Sequence, residues 1–406
     1  MDSSSNKINP TPDFSNQKDS IDNKNRSENK KSKITVILIG AGVGICICCS
    51  IALIILLVIY GAFPCSVAYC DENAYCVNNP FFADCICNTG FGGNGYECDE
   101  CGNFQLNEFS AIPLNIAVEP NSWPATADIL FRYTSEIQSP TGTHLVFGFD
   151  NCGGTIINRK AILTSASCIK RTFITFVDRK FLSFPVETNK YHETIESMYS
   201  IYVAVVNQIS FGVDIAPARY VKVEKIIKHE NYDPETDDND IAVIILEDRL
   251  ELDDKVQISC LPSKEEDPNI FPERNQHAWG VGWGSSMFGG NGNFKPSRAL
   301  QDLKKFQLNI YNNSMCSNIT KFHIDNLNND AFCAGEYNVV SGNGKTGYCH
   351  GDYGGSLYLR QNVSGVEKLV AIGILSYNEG CNAEHSPGIY TNVVKYIEWI
   401  RKNSYY

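Results

Sequence analysis

The sequence predicts an all-β exported domain, a barrel or a sandwich, which follows a small cysteine-rich module and one membrane-spanning helix. Three observations support this organisation. Residues 34–60 form an uncharged run of 27 residues, six cysteines crowd into the 34 residues from 65 to 98, and residues 102–406 contain many short β-rich runs between turn residues. The apolar residues near the C-terminus recur at helical spacing, which predicts a closing amphipathic helix: Val393, Val394, Ile397 and Ile400.

The N-terminal 60 residues are predicted to form a tail and a signal anchor. Residues 1–33 are mainly Ser, Asn, Asp and Lys, a composition that cannot form a core, so we expect a disordered tail. The run 34–60 is too long and starts too late for a cleaved signal peptide. Three lysines precede it within residues 30–33, and the next cation after it is Arg132. Because positive charge stays inside, the tail is predicted to be cytoplasmic and the rest extracellular or lumenal, a single-pass type II arrangement.

Charge and cysteine usage exclude several classes of function. Lys+Arg 34 against Asp+Glu 46 gives a net charge of −12, which argues against a nucleic-acid binder. Seventeen cysteines indicate an oxidising compartment. Three of them lie in the predicted span, and the remaining fourteen are an even number, as a closed disulfide framework requires. The seven histidines show no paired spacing, so we predict no metal and no cofactor.

The six cysteines of residues 65–98 are spaced C-x4-C-x5-C-x8-C-x-C-x10-C. A unit of this size needs disulfides because it cannot build an adequate core, and six cysteines alone permit 15 connectivities. The spacing and the Gly-rich run 90–95 resemble an EGF-like module, which we assign to residues 61–101. The resemblance implies three disulfides: Cys65–Cys76, Cys70–Cys85 and Cys87–Cys98.

Residues 112–404 resemble a trypsin/chymotrypsin-like serine protease. The resemblance is carried by an ordered series of motifs, which are Cys152-Gly-Gly-Thr-Ile-Ile157, Leu163-Thr-Ser-Ala-Ser-Cys168, Asn239-Asp-Ile-Ala242, Gly282-Trp-Gly284, Phe332-Cys-Ala-Gly335, Cys349-His-Gly-Asp-Tyr-Gly-Gly355 and Pro387-Gly-Ile-Tyr390. It implies two six-stranded antiparallel β-barrels with a C-terminal helix. It also implies four disulfides: Cys101–Cys260, Cys152–Cys168, Cys316–Cys333 and Cys349–Cys381.

The catalytic positions of that family are only partly retained. Its mechanism needs a Ser nucleophile, a His that takes the Ser proton and an Asp that orients the His. The matching positions hold Tyr353 for the nucleophile, Ser167 for the His and Asp240 for the acid. Neither replacement supplies the missing chemistry, since a serine hydroxyl is not a base near neutral pH and a phenol has a pKa of about 10. Gly351 occupies the position of an oxyanion-hole donor.

The activation site and the specificity pocket also depart from the family pattern. The segment that matches the activated N-terminus begins Ile112-Pro113, with no Arg or Lys between Cys101 and Arg132 at which a trypsin-like enzyme would cut. Gly347 stands where trypsin-like members have the acidic pocket floor, so a preference for Arg or Lys is not implied. Ser376 and Asn378 match the pocket wall, and Asn378 replaces the usual Gly, which predicts a narrowed, partly filled cleft.

These features favour a membrane-tethered pseudoprotease that binds an extracellular protein, as an adhesion molecule, a decoy or a regulator of an active protease. One alternative is an active type II transmembrane serine endopeptidase, as similarity over most of the chain suggests. Another is a purely structural surface protein. The sequence identifies neither the partner nor the oligomeric state. Three Asn-x-Ser/Thr triplets are candidate glycosylation sites: Asn312, Asn318 and Asn362.

Overall fold

The computed structural model describes most of the chain after residue 63, namely residues 64–66, 68–79, 82–104, 116–118, 121–205, 218–263, 265–283, 303–312, 316, 330–335, 352–363, 365–378 and 387–404. The predicted tail (1–33) and span (34–60) lie outside these residues. No helix within the described ranges combines the length and the apolar character needed to cross a bilayer. The chain divides into two compact units, residues 1–69 with 76–84, and residues 70–75 with 85–406.

The smaller unit is built around the Cys65–Cys76 disulfide. A short 3₁₀ turn at Pro64–Ser66 carries Cys65, and the Cys65 N–H donates to Oδ1 of Asn78 over 2.8 Å. Its residues 76–79 and 82–84 belong to two strands, β1 (Ala74–Asn79) and β2 (Phe82–Cys87).

The larger unit begins with two further disulfides, Cys70–Cys85 and Cys87–Cys98. The second of these braces a two-stranded sheet of β3 (Phe91–Gly93) and β4 (Cys98–Glu100). Gly93 and Gly95 have positive φ angles of 150° and 80°, and a Cβ on either would lie within 2 Å of a backbone oxygen. Only glycine fits these turns.

The first of two β-barrels is closed by six antiparallel strands in the order β11-β12-β13-β8-β7-β6. Their bounds are β6 (Thr126–Ser139), β7 (Gly142–Asn158), β8 (Ala161–Thr164), β11 (Tyr199–Val203), β12 (Arg219–Lys228) and β13 (Ala242–Leu246). Strand β13 lies in the barrel wall between β12 and β8, and it is buried along its whole length because its continuous run of Ala, Val, Ile and Leu packs into the apolar core.

The second barrel has six strands in the order β14-β17-β18-β19-β16-β15, and pairing of β14 with β15 closes it. A short strand β5 (Ile116–Ala117) adds to β15. The bounds are β14 (His277–Gly282), β15 (Lys304–Ile310), β16 (Ala331–Gly335), β17 (Ser356–Val363), β18 (Val366–Tyr377) and β19 (Gly388–Asn392). The prediction of two six-stranded antiparallel barrels is therefore confirmed.

The C-terminal helix is confirmed, although only part of it is α-helical. Val393–Tyr396 form a 3₁₀ turn, and the α-helix α1 spans Ile397–Asn403. Val393, Ile397 and Ile400 are buried in the core, as their helical spacing predicts.

A pair of hairpins extends from the first barrel, and we call it the prong. It consists of residues 132–149 of the β6–β7 ribbon and of the hairpin formed by β9 (Thr172–Val177) and β10 (Lys180–Pro185). The ribbon pairs without interruption from Thr126 opposite Thr155 to Ser139 opposite Gly142. The sequence predicted only short β runs here, whereas β6 has 14 residues and β7 has 17. The difference arises because the β9–β10 hairpin packs on one face of the ribbon, with Phe173 next to Gly148, a long-range contact that local patterns do not reveal.

Residues 85–104 are fixed to the barrels by a disulfide and by charged pairs. Cys101 bonds to Cys260, and both side chains are buried. Arg159 forms a two-point contact with the Asp99 carboxylate, with Nε–Oδ2 and Nη2–Oδ1 distances of 2.8 and 2.6 Å. The buried Lys368 ammonium donates to Glu100 and, over 2.8 Å, to Oδ1 of Asn103. This part of the cysteine-rich region is thus held on the barrels by a disulfide and by charge-assisted hydrogen bonds.

Candidate functional site

Asp240 lies at the start of β13, in the Asn-Asp-Ile-Ala motif, and its side chain is fully buried. The backbone before it is held in place by two contacts. Tyr396 donates its hydroxyl to Oδ1 of Asn239 over 3.1 Å, and Thr391 donates to the Asp240 carbonyl over 2.8 Å. Asn239 has a φ of 55°, a left-handed conformation that Asn tolerates better than most residues. The local sequence therefore sets the direction of the carboxylate.

The Asp240 carboxylate accepts three hydrogen bonds. The Ser167 N–H donates to Oδ1 over 2.7 Å, and the Ser167 hydroxyl donates to Oδ2 over 2.9 Å. The Ser376 hydroxyl also donates to Oδ2, over 2.6 Å. The first barrel thus brings Ser167 and Asp240 together, and the second barrel contributes Ser376 from the end of β18.

The protonation of this carboxyl group differs from that of an exposed aspartate. Burial raises the pKa of Asp240 from 3.8 to about 7, and the hydrogen bonds from Ser376 and Ser167 oppose that rise. Burial dominates because hydroxyl and amide dipoles stabilise an anion less than water or a full positive charge does. Near neutral pH the carboxyl group therefore exchanges between its charged and neutral forms.

Ser167 sits in a 3₁₀ turn, Ala166–Cys168, which directly follows β8 and is held by the Cys152–Cys168 disulfide. Its hydroxyl lies 2.9 Å from that of Ser165. Because the Ser167 hydroxyl donates to Asp240, it presents no basic atom to an attacking group. A hydroxyl at this place can bind a ligand but cannot accept a proton near neutral pH.

The described histidines make their contacts elsewhere. His229 packs between the rings of Tyr396 and Trp399, with ring centroids 5.3 and 5.1 Å away. His192 accepts a hydrogen bond at Nε2 from the Thr134 N–H over 2.9 Å. His144 lies at the tip of the prong, within 2.8 Å of the Thr141 hydroxyl. His350, adjacent to the predicted oxyanion position, lies outside the described residues.

Tyr353 lies in a tight turn whose backbone is held from both barrels. The Gly153 N–H donates to the Tyr353 carbonyl over 2.7 Å, and the Gly354 N–H donates to the Leu375 carbonyl over 2.9 Å. Gly354 has a φ of 79°, and a Cβ there would lie 2.1 Å from Oγ1 of Thr164. The turn that carries the nucleophile in the family is therefore maintained by glycine and by backbone contacts, independently of the side chain at position 353.

The Tyr353 side chain is half-buried and directed at the pocket wall. Its hydroxyl donates to Asn378 at long distances, 3.3 Å to the carbonyl oxygen and 3.4 Å to Oδ1. Burial raises the pKa of the Tyr353 phenol. The ring thus bridges the nucleophile position and Asn378, and its hydroxyl stays protonated at physiological pH.

Asp352, which in the family receives the activated N-terminus, is buried against the backbone of β14. A Cβ on Gly282 would lie 2.0 Å from Oδ1 of Asp352, so this close approach requires glycine. The Ile112-Pro113 segment that would supply the amine lies outside the described residues.

Several predicted positions lie outside the described residues and stay predictions. They are Gly347, Gly351, the Cys349–Cys381 disulfide and Asn318. The two other glycosylation candidates, Asn312 and Asn362, are exposed. The cysteines of the cysteine-rich region are all disulfide-bonded, so they offer no thiolate to a metal.

Among the described residues there are six disulfides, and each joins a pair that the two resemblances implied. They are Cys65–Cys76, Cys70–Cys85, Cys87–Cys98, Cys101–Cys260, Cys152–Cys168 and Cys316–Cys333.

Sequence reasoning missed two features of the site. Ser376 was predicted only as a pocket residue, yet its hydroxyl makes the shortest of the three contacts to Asp240. Ser165 was not singled out, although its position two residues before Ser167 in a turn places the two hydroxyls side by side. The run Thr164-Ser165-Ala166-Ser167 was the available signal, since closely spaced hydroxyls at a strand end commonly bond to one another.

Comparison with known proteins places these barrels in a family. The trypsin family model matches residues 118–400, well over half of the chain. Coagulation factor XI of Bos taurus is 28% identical over 278 residues, which cover 68% of this chain and 35% of that protein. Transmembrane protease serine 11G of Rattus norvegicus is 28% identical over 285 residues, covering 70% and 53%.

A third relative, chymotrypsin-C of Mus musculus, is 27% identical over 286 residues, which cover 70% of this chain and 85% of that protein. The first two relatives are thus matched over only about a third and a half of their lengths. All three similarities cover about the same share of this chain as the family match. With both barrels present and most of the chain matched, the protein belongs to the trypsin family of serine protease domains.

Proposed function

We propose that this chain is a membrane-tethered, extracellular serine protease homologue that acts by binding proteins and does not hydrolyse peptide bonds. One observation carries the proposal. The Ser167 hydroxyl donates to Asp240 at the position where the family has its catalytic histidine. The retained acid therefore holds a hydrogen-bond donor in place of a base.

The chemical argument rests on two separate losses. A peptide bond is attacked by an oxygen whose proton a base removes, and Ser167 cannot act as that base. The attacking oxygen is replaced by the phenol of Tyr353, whose pKa is raised further by burial. Loss of one member of the triad costs about 10⁴ to 10⁶ in turnover, and here two are replaced.

Tyr353 also supports a binding role through its shape. Its ring spans from the nucleophile turn to Asn378 and occupies space that a substrate side chain would otherwise enter. The turn beneath it keeps the backbone contacts of the family, so the substitution changes the cleft surface without removing its scaffold. We infer that a partner binds to the loops around the cleft and does not insert a side chain deep into the pocket.

The predicted anchor (34–60) and the EGF-like module (61–101) complete the proposal. Exported cysteines in disulfides and exposed Asn312 and Asn362 fit an extracellular or lumenal domain. The similarity to transmembrane protease serine 11G supports a tethered arrangement.

An active serine endopeptidase is the second candidate, and it is favoured by membership of the trypsin family and by the printed names of the relatives. The residues at the base and nucleophile positions favour the binding role. A purely structural spacer is the third candidate, and it predicts no discrete partner.

Labelling with a fluorophosphonate probe tests the main proposal. The purified full chain should react no more than a Tyr353→Phe variant, with bovine trypsin labelled in parallel as the positive control. Covalent labelling of the unchanged chain above that variant would show an activated nucleophile, and the proposal would be wrong.

A gain-of-function variant gives the complementary control. Ser167→His combined with Tyr353→Ser, with a cleavable basic site placed before Ile112, should react with the probe and hydrolyse peptides after cleavage. Success would show that the scaffold is intact and that the two side chains account for the inactivity. Capture of a specific extracellular protein at defined salt would separate the binding role from the spacer.

A further inference from the structure

The outer face of the β9–β10 hairpin is apolar and exposed to solvent. Ile174 and Phe176 of β9 are 70% and 59% exposed, and Phe181 of β10 is 77% exposed. Phe176 pairs directly with Phe181 across the strands, and their ring centroids are 5.0 Å apart. Three large apolar side chains on one hairpin face exceed the scattered exposure that is normal for a soluble surface.

The second hairpin of the prong has a similar outer face. On β7, three alternate side chains, Leu145, Phe147 and Phe149, are 49 to 54% exposed. The intervening residue Gly148 faces inwards, and a Cβ there would lie 3.2 Å from the Phe173 ring of β9. Successive side chains of a strand point to opposite faces. The two hairpins therefore pack through their inner faces and leave apolar side chains on both outer faces of the prong.

The tip between these faces is basic. Residues 171–185 contain three cations and one acid, whereas the whole chain carries −12. Arg179 and Lys180 are exposed and form no ion pair among the described residues. The one acid of the hairpin, Asp178, is engaged by the Thr141 hydroxyl over 2.6 Å and lies 3.9 Å from His144. The nearest acid of the ribbon, Glu136, is paired with Lys190 over 2.7 Å.

The backbone conformation of the turn at this tip indicates that the cations are kept for a function, because it disfavours a side chain at one of their positions. Asp178 and Arg179 have φ angles of 48° and 63°, the pattern of a type I′ hairpin turn. Glycine is the usual residue at the second central position, because a side chain there is strained. The chain instead has an exposed arginine, Arg179, at that position of the β9–β10 turn.

We propose that the prong docks on a lipid bilayer that contains anionic headgroups, with the side chains of Ile174, Phe176 and Phe181 entering the interface and Arg179 and Lys180 contacting the headgroups. Aromatic and apolar side chains beside Lys and Arg are the composition that binds this interface. The proposal goes beyond the binding role of the cleft and does not depend on its chemistry.

Two alternatives fit the geometry less well. A protein partner that covered one outer face would leave the other apolar face in water, whereas tip-first insertion brings both faces to the interface. A second copy whose prong packed alongside this one with the tips in the same direction would bring Arg179 and Lys180 of the two prongs together, and like charges oppose that contact.

Fluorescence quenching in the full chain tests the proposal. A Phe181→Trp variant is reconstituted into vesicles of phosphatidylcholine with roughly a third phosphatidylserine, with or without nitroxide-labelled lipid. The matched control is Tyr220→Trp on β12, since Tyr220 is 52% exposed and lies outside the prong. The unchanged chain supplies the signal of the four native tryptophans for subtraction.

We expect blue-shifted emission and strong nitroxide quenching for Phe181→Trp, and little of either for Tyr220→Trp. Adding Arg179→Gln and Lys180→Gln should lower the ratio of docked to undocked chains by roughly fivefold for each charge removed. Because all of these positions are exposed, the variants keep the core contacts, and an unchanged thermal unfolding midpoint verifies this.

Three results would overturn the proposal. Quenching of Phe181→Trp no stronger than that of Tyr220→Trp would show that the hairpin does not reach lipid. Equal quenching in vesicles without phosphatidylserine would exclude the anionic headgroups. A blue shift that appears in lipid-free detergent solution and grows with protein concentration would identify a second copy as the occupant.

Discussion

Two buried ionisable groups, Asp240 in the cleft and Lys368 beneath residues 85–104, differ in whether their hydrogen-bond partners carry a charge. The Lys368 ammonium is met by a carboxylate from Glu100, so its charge is matched. Among the described residues, the Asp240 carboxylate is met by hydroxyl and amide donors from Ser167 and Ser376, which carry no net charge. The first arrangement pairs opposite charges, and the second surrounds a buried carboxyl group with uncharged donors.

Under the proposed binding function, the difference indicates which part of a protease scaffold is kept when the catalytic residues are replaced. In an active family member the base next to the acid becomes positively charged during the reaction, and the acid stabilises that charge. With Ser167 in its place, no such charge forms, and the buried carboxyl group has a pKa near 7. The Asp240 carboxyl group is therefore held by hydrogen bonds from uncharged donors, whereas the charged side chains of residues 85–104 are held by ion pairs.

The largest expected effect concerns the pH dependence of stability at Asp240. Its pKa is raised from 3.8 to about 7 in the folded chain, so the folded state keeps a proton that the unfolded state loses. The contribution of this group to stability is therefore complete below about pH 4 and is lost as the pH rises through 7. We expect this group alone to lower the free energy of unfolding by about 4 kcal/mol over that range. Urea unfolding at a series of pH values measures it.

Asp240→Asn is the matched variant, because the amide has the same shape and does not titrate in this range. Subtracting its pH profile from that of the unchanged chain isolates the contribution of Asp240 from those of other acids. Identical profiles would show that Asp240 is ionised throughout, and the contrast with Lys368 would then disappear.

A smaller effect is expected where the charges are matched. Glu100→Ala leaves the buried Lys368 ammonium with Asn103 as its recorded side-chain acceptor, and should lower the free energy of unfolding by about 2 kcal/mol. The control is Glu367→Ala, which removes the partner of the more exposed Arg360, 3.0 Å away, and should cost less than about 0.5 kcal/mol. Equal losses in the two variants would show that burial of Lys368 does not strengthen its pair.

The sequence predicts the positions in the cleft better than it predicts their contacts. The motif around Cys168 and the Asn-Asp-Ile-Ala motif locate Ser167 and Asp240, because short turns and a core strand fix their backbone. The same motifs do not predict that Ser376, which is 136 residues from Asp240, donates to it. Such a contact depends on how the second barrel packs against the first, and no local pattern records that packing.

The sequence likewise did not predict the contacts of residues 85–104 with the barrels. The resemblance implied the Cys101–Cys260 disulfide, but it did not imply that Arg159 would meet Asp99 or that Lys368 would be buried. A lysine in an alternating strand pattern predicts an exposed side chain. Lys368 is buried because the segment that contains Glu100 and Asn103 covers it, a tertiary effect that overrides the preference of the residue.

The smallest expected effect tests how the hydroxyl donors act on Asp240. Ser376→Ala removes the 2.6 Å hydrogen bond to Oδ2, and a donor to the ionised form lowers the pKa, so its loss should raise the pKa of Asp240 further. The midpoint of the pH-dependent change in stability should move upward by on the order of one unit or less. Ser165→Ala is the control, because the Ser165 hydroxyl contacts Ser167 and has no recorded bond to the carboxylate. If both variants move the midpoint equally, the hydroxyls act as one connected network, and the distinction between direct and indirect donors to Asp240 is lost.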